Sequence, residues 1–209
     1  MIAIIDYGMG NVRSVFNAME YLDYDSIISS DYSDIEHCSH IILPGVGAFA
    51  EAMKNIRKRS LDKILEQEVL YKGKPFLGIC LGMQLLASSS EEFGVHDGLG
   101  WFKGQVLKLK AEEDGLKMPH IGWNDIKICK EHPIFKGLNQ DTATFYFVHS
   151  FHLNCKDENE QLAYCEYGEK FTAAIFRDNI VATQFHPEKS QDNGLLLLNN
   201  FVCWRRADA

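Results

Sequence analysis

The chain predicts an α/β fold, on three observations. It opens on an apolar run, Met1 to Ile5, that passes through a turn into residues spaced for a helix. A second apolar run, Phe76 to Ile79, ends in Gly78-Ile79-Cys80-Leu81-Gly82, the pattern of a sharp strand-to-helix turn. Between them the first ninety residues read β-α-β-β-α-β-α, the alternation of a parallel sheet wrapped by helices.

The first strand is buried on both sides, because its apolar residues do not alternate with polar ones. Asp6-Tyr7-Gly8-Met9-Gly10-Asn11 follows as a turn, and Val12, Val15, Phe16, Met19 and Leu22 mark one helix face. The G-x-G of this turn lacks a third glycine, so it reads as a tight connection before it reads as a nucleotide cradle. Ser26 to Ser30 is a second strand. His40 to Leu43 is the third, and runs into Pro44-Gly45-Val46-Gly47. Gly45 and Gly47 free the backbone to aim N–H groups into a cleft, although the same loop serves equally as a plain strand-to-helix connection. Glu51 to Tyr71 reads as one amphipathic helix, and its cations Lys54, Arg57, Lys58, Arg59 and Lys63 as a solvated face.

Cys80 stands at the strand-to-helix junction, with Met83 to Ser88 helical in composition after it. A nucleophile elbow needs strained dihedrals at its centre and glycines on both sides. A thiol at a helix N-terminus would also be favoured as thiolate. By itself, G-x-C-x-G is as compatible with a buried structural cysteine. In an elbow enzyme the N–H after the nucleophile, here Leu81, is one oxyanion donor, and a second comes from another βα loop; Gly45–Gly47 is placed for that.

From Gly98 onward the chain changes to short strands: Val106 to Leu109, Asp125 to Ile128, Ala143 to Val148, Ala163 to Glu166, Thr172 to Phe176 and Ile180 to Phe185. Met118 to Asn124 reads as a loop. His149 and His152, three apart, are too few for a zinc site, so a structural role is expected and no metal. Near the end lies Gln184-Phe185-His186-Pro187-Glu188-Lys189-Ser190. On an extended segment His186 and Glu188 project to one side, where the carboxylate would fix the imidazole's tautomer for a Cys–His pair. Asn193 to Trp204 closes the fold as a helix.

Composition narrows the classes. A length of 209 residues suits a single domain, 1–209, and a net charge of −8 argues against a nucleic-acid or anionic-membrane surface. Six dispersed cysteines without a C-x-x-C pair suit a reducing compartment, and no apolar run reaches spanning length; the expected location is cytoplasmic.

Together these words resemble the class I (triad) glutamine amidotransferases, and among them the glutaminase subunits of imidazole glycerol phosphate synthases. The resemblance rests on Asp6 to Asn11, Pro44 to Gly47, Gly78 to Gln84, Pro119 to Asn124, Tyr146 to Ser150 and His186 to Ser190, and spans nearly the whole chain. Phe151 departs from the tyrosine more usual there, and Lys110 to Lys117 matches no family feature. The resemblance implies a mostly parallel central sheet flanked by helices with added antiparallel strands, flavodoxin-like. It also implies a glutaminase with Cys80 as nucleophile, His186 as acid and base, and Glu188 orienting it. The implied oxyanion donors are Leu81 and the Gly45, Val46 and Gly47 loop, with Gln84 holding the substrate L-glutamine and no cofactor. Ammonia would pass to a separate (β/α)₈-barrel cyclase in a heterodimer serving histidine biosynthesis, with Asn11, Trp123, Tyr146 and Lys189 at the interface and ammonia gate. The loop at Gly45–Gly47 would turn an N–H inward when the partner binds its substrate. Three rivals stay open: a paralogue feeding ammonia to a sugar-modifying enzyme of surface polysaccharide synthesis, a silent scaffold, and a γ-glutamyl peptidase.

Overall fold

Alternate residues of the first strand point into two different cores. Ile2 and Ile4 pack on one side of a sheet while Ala3 and Ile5 pack on the other. This is why the strand reads as an unbroken apolar run. The structure is a computed structural model that describes residues 1–111, 115–139 and 143–204. Part of the segment from Lys110 to Lys117 therefore lies outside the described residues.

The elements run β1 (Ile2–Ile5), α1 (Val12–Tyr21), β2 (Ser26–Ser29), α2 (Tyr32–His37), β3 (His40–Gly45), α3 (Phe49–Lys58), α4 (Leu61–Leu65), a π-helical turn (Glu66–Tyr71), β4 (Phe76–Cys80) and α5 (Leu81–Gln84). Then follow β5 (Ala87–Ser90), β6 (His96–Asp97), β7 (Phe102–Lys108), β8 (His120–Asp125), β9 (Lys127–Ile128), β10 (Thr144–His149), β11 (Phe151–Cys155), β12 (Gln161–Tyr167), β13 (Glu169–Arg177), β14 (Ile180–Thr183) and α6 (Gln191–Cys203).

Eight strands form the central sheet in the order β2-β1-β3-β4-β14-β13-β12-β9. Pairings from β2 to β14 are parallel, and those from β14 to β9 are antiparallel. This is the expected α/β arrangement, a mixed sheet with helices on both faces. Helices α1 and α6 cover one face through Val15, Met19, Leu197, Leu198 and Phe201. Helices α2, α3 and α4 cover the other through Ile35, Phe49, Met53, Ile56, Leu61 and Leu65. Each such side chain fully removed from water contributes about 1.5–3 kcal/mol. Four further strands form a second sheet, β11-β7-β5-β6, and β8 pairs with β10 in a two-stranded ribbon.

Several sequence expectations are corrected. The helix expected over Glu51 to Tyr71 is broken once, where Ser60 takes a left-handed conformation (φ 57°) between α3 and α4; α4 then runs on into the π-helical turn. That turn lets Leu61 and Leu65 reach the core, which a straight continuation would not. Of the helix expected over Met83 to Ser88, only Met83 and Gln84 are helical, at the end of α5. After one helical turn the chain is drawn into the second sheet, where Ala87 aligns with Phe102. Met118 to Asn124 is not a loop throughout, since His120–Asp125 pairs with β10 from His120 opposite His149 to Asp125 opposite Thr144. A short helix, α2, also lies between β2 and β3.

Candidate active site

Cys80 ends β4 at φ 55° and ψ −108°, outside the regions that a side chain with a Cβ ordinarily occupies. Its glycine neighbours have a steric reason. A Cβ on Gly82 would collide with the Leu43 carbonyl of the adjacent strand. One on Gly78 would lie 3.0 Å from the Gly82 carbonyl oxygen. The elbow expected from the sequence is present. The helix after it is only the four residues Leu81–Gln84, so the expected stabilisation of a thiolate by a helix dipole has no long helix behind it. The sulfur instead meets side chains. Gln184 Nε2 lies 3.6 Å from it, and the thiol is 3.8 Å from the Val148 carbonyl.

His186 follows β14, the strand paired in parallel with β4, where Thr183 is opposite Ile79. Cys80 and His186 thus emerge from the same end of neighbouring strands, though more than a hundred residues apart in sequence. His186 is 1% exposed and its Nδ1 lies 2.8 Å from Glu188 Oε1. The segment is not extended as the spacing suggested. Pro187–Lys189 is a 3₁₀ turn with His186 at its N-cap, and the turn brings Glu188 back against the ring. Its backbone is clamped: His186 N–H donates to the Tyr146 carbonyl, and the Ser190 hydroxyl donates to the His186 carbonyl. Ser190 Oγ also accepts from Tyr146 N–H. Burial alone would lower the pKa of His186. The charge and hydrogen-bonding of the Cys80 sulfur, followed by Glu188, outweigh it and push it up to about 10. Among the described residues Nε2 has no hydrogen-bond partner, which leaves it open to the sulfur.

The Gly45–Gly47 loop is brought against the elbow, with Gly45 opposite Cys80 in register. A Cβ on Gly45 would lie 2.9 Å from Leu81 Cβ and would collide with the Tyr7 hydroxyl. Gly47 has φ 104°, and Val46 is half-exposed beside it. Tyr7 is wholly buried with no partner for its hydroxyl among the described residues; burial, and then the charge of Cys80, push its pKa up and keep it neutral. Gln84 is 5% exposed, and its Nε2 is committed to the Phe151 carbonyl (2.8 Å) and Gln184 Oε1 (3.1 Å).

Trp123 and Tyr146 are cross-strand partners in the β8–β10 ribbon, with ring centroids 5.9 Å apart in an edge-to-face arrangement. Lys189 Nζ lies 5.9 Å from the Tyr146 centroid. Asn11 begins α1, which packs against the Pro187–Lys189 turn. Trp123 and Ile121 are exposed, so this ribbon carries an open apolar face. His149 and His152 are buried, and among the described residues no group of three or more His, Cys, Asp or Glu could hold a metal ion. His149 Nδ1 meets the Phe151 carbonyl at 3.0 Å and its Nε2 meets His120 Nδ1 at 3.1 Å.

Sequence reasoning missed Gln184, Ser190 and Tyr7 as parts of this cleft. Gln184 and Ser190 flank the His186 word on either side, and Tyr7 stands in the first turn. Nothing local says where their polar atoms point.

A thiol, an imidazole oriented by a carboxylate, and a glycine loop beside the nucleophile are equipment for acyl transfer through a covalent intermediate. Residues 3–203 match the family described as glutamine amidotransferase class-I, and the chain belongs to it. Across 97% of its length the chain is 50% identical to imidazole glycerol phosphate synthase subunit HisH 2 of Nitrobacter winogradskyi, covering 98% of that protein. It is 48% identical to subunit HisH 1 of Campylobacter jejuni, over 97% of this chain and 99% of that one. Among solved structures it is similar to PurLQS from Thermotoga maritima, with a TM-score of 0.70 over 97% of each chain; at 18% identity that likeness concerns the fold. Among the described residues no helix is long and apolar enough to cross a membrane.

Proposed function

We propose that this chain, as one domain over residues 1–209, is the glutaminase subunit of an imidazole glycerol phosphate synthase in histidine biosynthesis. What carries the reading is the 50% identity to a full-length relative of that name, in a chain whose Cys80, His186 and Glu188 share one cleft.

In this reading His186 takes the proton of Cys80, and the sulfur attacks the side-chain amide carbon of L-glutamine. The oxyanion is met by backbone N–H groups of Leu81 and of the Gly45–Gly47 loop. His186 gives its proton to the departing nitrogen, and ammonia leaves a γ-glutamyl thioester. His186 then draws a proton from water, which attacks the thioester, and glutamate departs as the sulfur recovers its charge. Glu188 holds the ring and supports its positive form throughout. Gln84 holds the substrate.

Ammonia passes to a separate (β/α)₈-barrel cyclase, which uses it on phosphoribulosyl formimino carboxamide ribotide to make imidazole glycerol phosphate and AICAR. The exposed Trp123, with Tyr146, Lys189 and Asn11 around it, supports this face as the partner's seat and the ammonia gate. All six cysteines are free, which supports a reducing, cytoplasmic location.

The test mixes the purified chain with a barrel cyclase from the same source. Glutamine-dependent imidazole glycerol phosphate is the expected result. Product with ammonia but none with glutamine would sink the reading. A second reading is favoured by the numbering of these relatives as HisH 1 and HisH 2. Under it the same glutaminase feeds a sugar-modifying amidotransferase of surface polysaccharide synthesis, and glutamine supports amination of a sugar in place of cyclase product.

A further inference from the structure

Two buried carboxamides form a chain that ends on the nucleophile. Gln84 Nε2 donates to the Phe151 carbonyl at 2.8 Å and to Gln184 Oε1 at 3.1 Å, and Gln184 Nε2 stands 3.6 Å from Cys80 Sγ. A backbone carbonyl can only accept, so it forces the nitrogen of Gln84 toward Phe151. That nitrogen in turn requires an acceptor on Gln184, so the oxygen of Gln184 faces Gln84 and its NH₂ faces the sulfur. Turning Gln184 over would set two donors against each other away from solvent, since Gln184 is wholly buried. The anchor is itself held from a second side, by His149 Nδ1 on the same Phe151 carbonyl.

We propose that Gln184 is a positioning residue for Cys80: its side-chain N–H, oriented through Gln84 by the Phe151 carbonyl, holds the sulfur and favours its anionic form. The two neighbours of the sulfur act in opposite senses. The Val148 carbonyl, 3.8 Å away, accepts from a neutral thiol and repels a thiolate. The Gln184 N–H donates to either, and more strongly to the thiolate. When the proton moves to His186, the sulfur is released by Val148 and kept by Gln184. The titratable groups around it are His186 and Glu188 after β14, Tyr7 after β1, and His149 at the end of β10 behind Val148.

This inference deepens the glutaminase reading and rests on it, but its main test needs no glutamine. Iodoacetamide labelling of Cys80 in the full chain is followed against pH by mass spectrometry of its own peptide. In Gln184→Met, which keeps the volume and removes the donor, labelling at pH 7 falls roughly five-fold and the profile moves to higher pH. Hydrolysis by the complex loses roughly ten-fold in kcat with KM within about two-fold. Gln84→Met, which frees the Gln184 amide to turn, shifts labelling in the same direction by less. Thermal unfolding identifies which variants fold. A labelling profile superimposable on the wild type, in whichever variant folds, overturns the proposal, because a mere packing role leaves that profile in place. Wild-type chain that labels normally but never hydrolyses glutamine would instead count against the glutaminase reading.

Discussion

Glu188 Oε1 and His186 Nδ1 lie 2.8 Å apart with only Pro187 between them, and both side chains are shut off from solvent. The contact fixes the proton of the neutral ring on Nδ1 and leaves Nε2 for the sulfur. Glu188→Gln keeps the shape and removes the charge. Steady-state glutamine hydrolysis is expected to drop on the order of ten- to hundred-fold in kcat with a folded protein. A rate within two-fold or so of wild type would deny the carboxylate its role.

The pKa of about 10 at His186 depends on the sulfur. Burial lowers it, and Cys80 and then Glu188 raise it. Cys80→Ala removes the larger raising influence, so the imidazole must become easier to deprotonate. Nitrogen NMR of the ring at pH 8 is expected to find imidazolium in the wild type and the neutral ring in the variant. Identical spectra would mean that the two groups do not interact.

The elbow is built by backbone contact. Gly82→Ala pushes a methyl into the Leu43 carbonyl on the neighbouring strand. A loss of about 2 kcal/mol or more in urea unfolding is expected, because Leu43 is held by sheet pairing and the α5 turn cannot back away without displacing the elbow. An unchanged midpoint would show the contact between α5 and β3 to be looser than it stands here.

Trp123→Ala removes a half-exposed ring from the β8–β10 ribbon. Unfolding of the isolated chain should move by less than about 1 kcal/mol. Affinity for the barrel partner, measured by titration calorimetry, should weaken by about 2 kcal/mol if this face is the seat proposed above. Undiminished affinity would move the interface elsewhere.

His149 is buried and pushed down to about 3, first by burial and then by His120 beside it. Its unfolded counterpart titrates near 6.5. Between these values the unfolded chain binds more protons, so stability is complete above about pH 6.5 and is lost as pH falls toward 3. His149→Gln preserves a donor for Phe151 and an acceptor for His120. Urea unfolding from pH 5.5 to 4 should show a slope flatter by up to about 1.4 kcal/mol per pH unit. Parallel slopes would refute the assignment of a neutral His149.

The strands of the central sheet were legible because each announces itself locally. An apolar run that passes into a glycine-bearing turn needs no tertiary information to be read as β1, β3 or β4, and the words around Cys80 and His186 sit at strand ends for the same reason. The errors lie where distant pairing overrode local preference. Leu85 to Ser88 has helical composition yet ends in β5, since Ala87 gains a partner in Phe102. His120–Asp125 looks irregular on its own and becomes a strand only because β10 lies beside it.

By itself, the sequence determined the kinds of groups available: one elbow thiol, one imidazole with a carboxylate two positions away, and a glycine loop. Their type and short-range spacing are covalent facts. Only the tertiary structure decided that β4 and β14 are neighbours, which sets Cys80 and His186 in one cleft, and that the Gln184 amide turns its nitrogen to the sulfur. Those choices are made by strand order and by which buried donors must find acceptors, and both depend on residues a hundred positions apart.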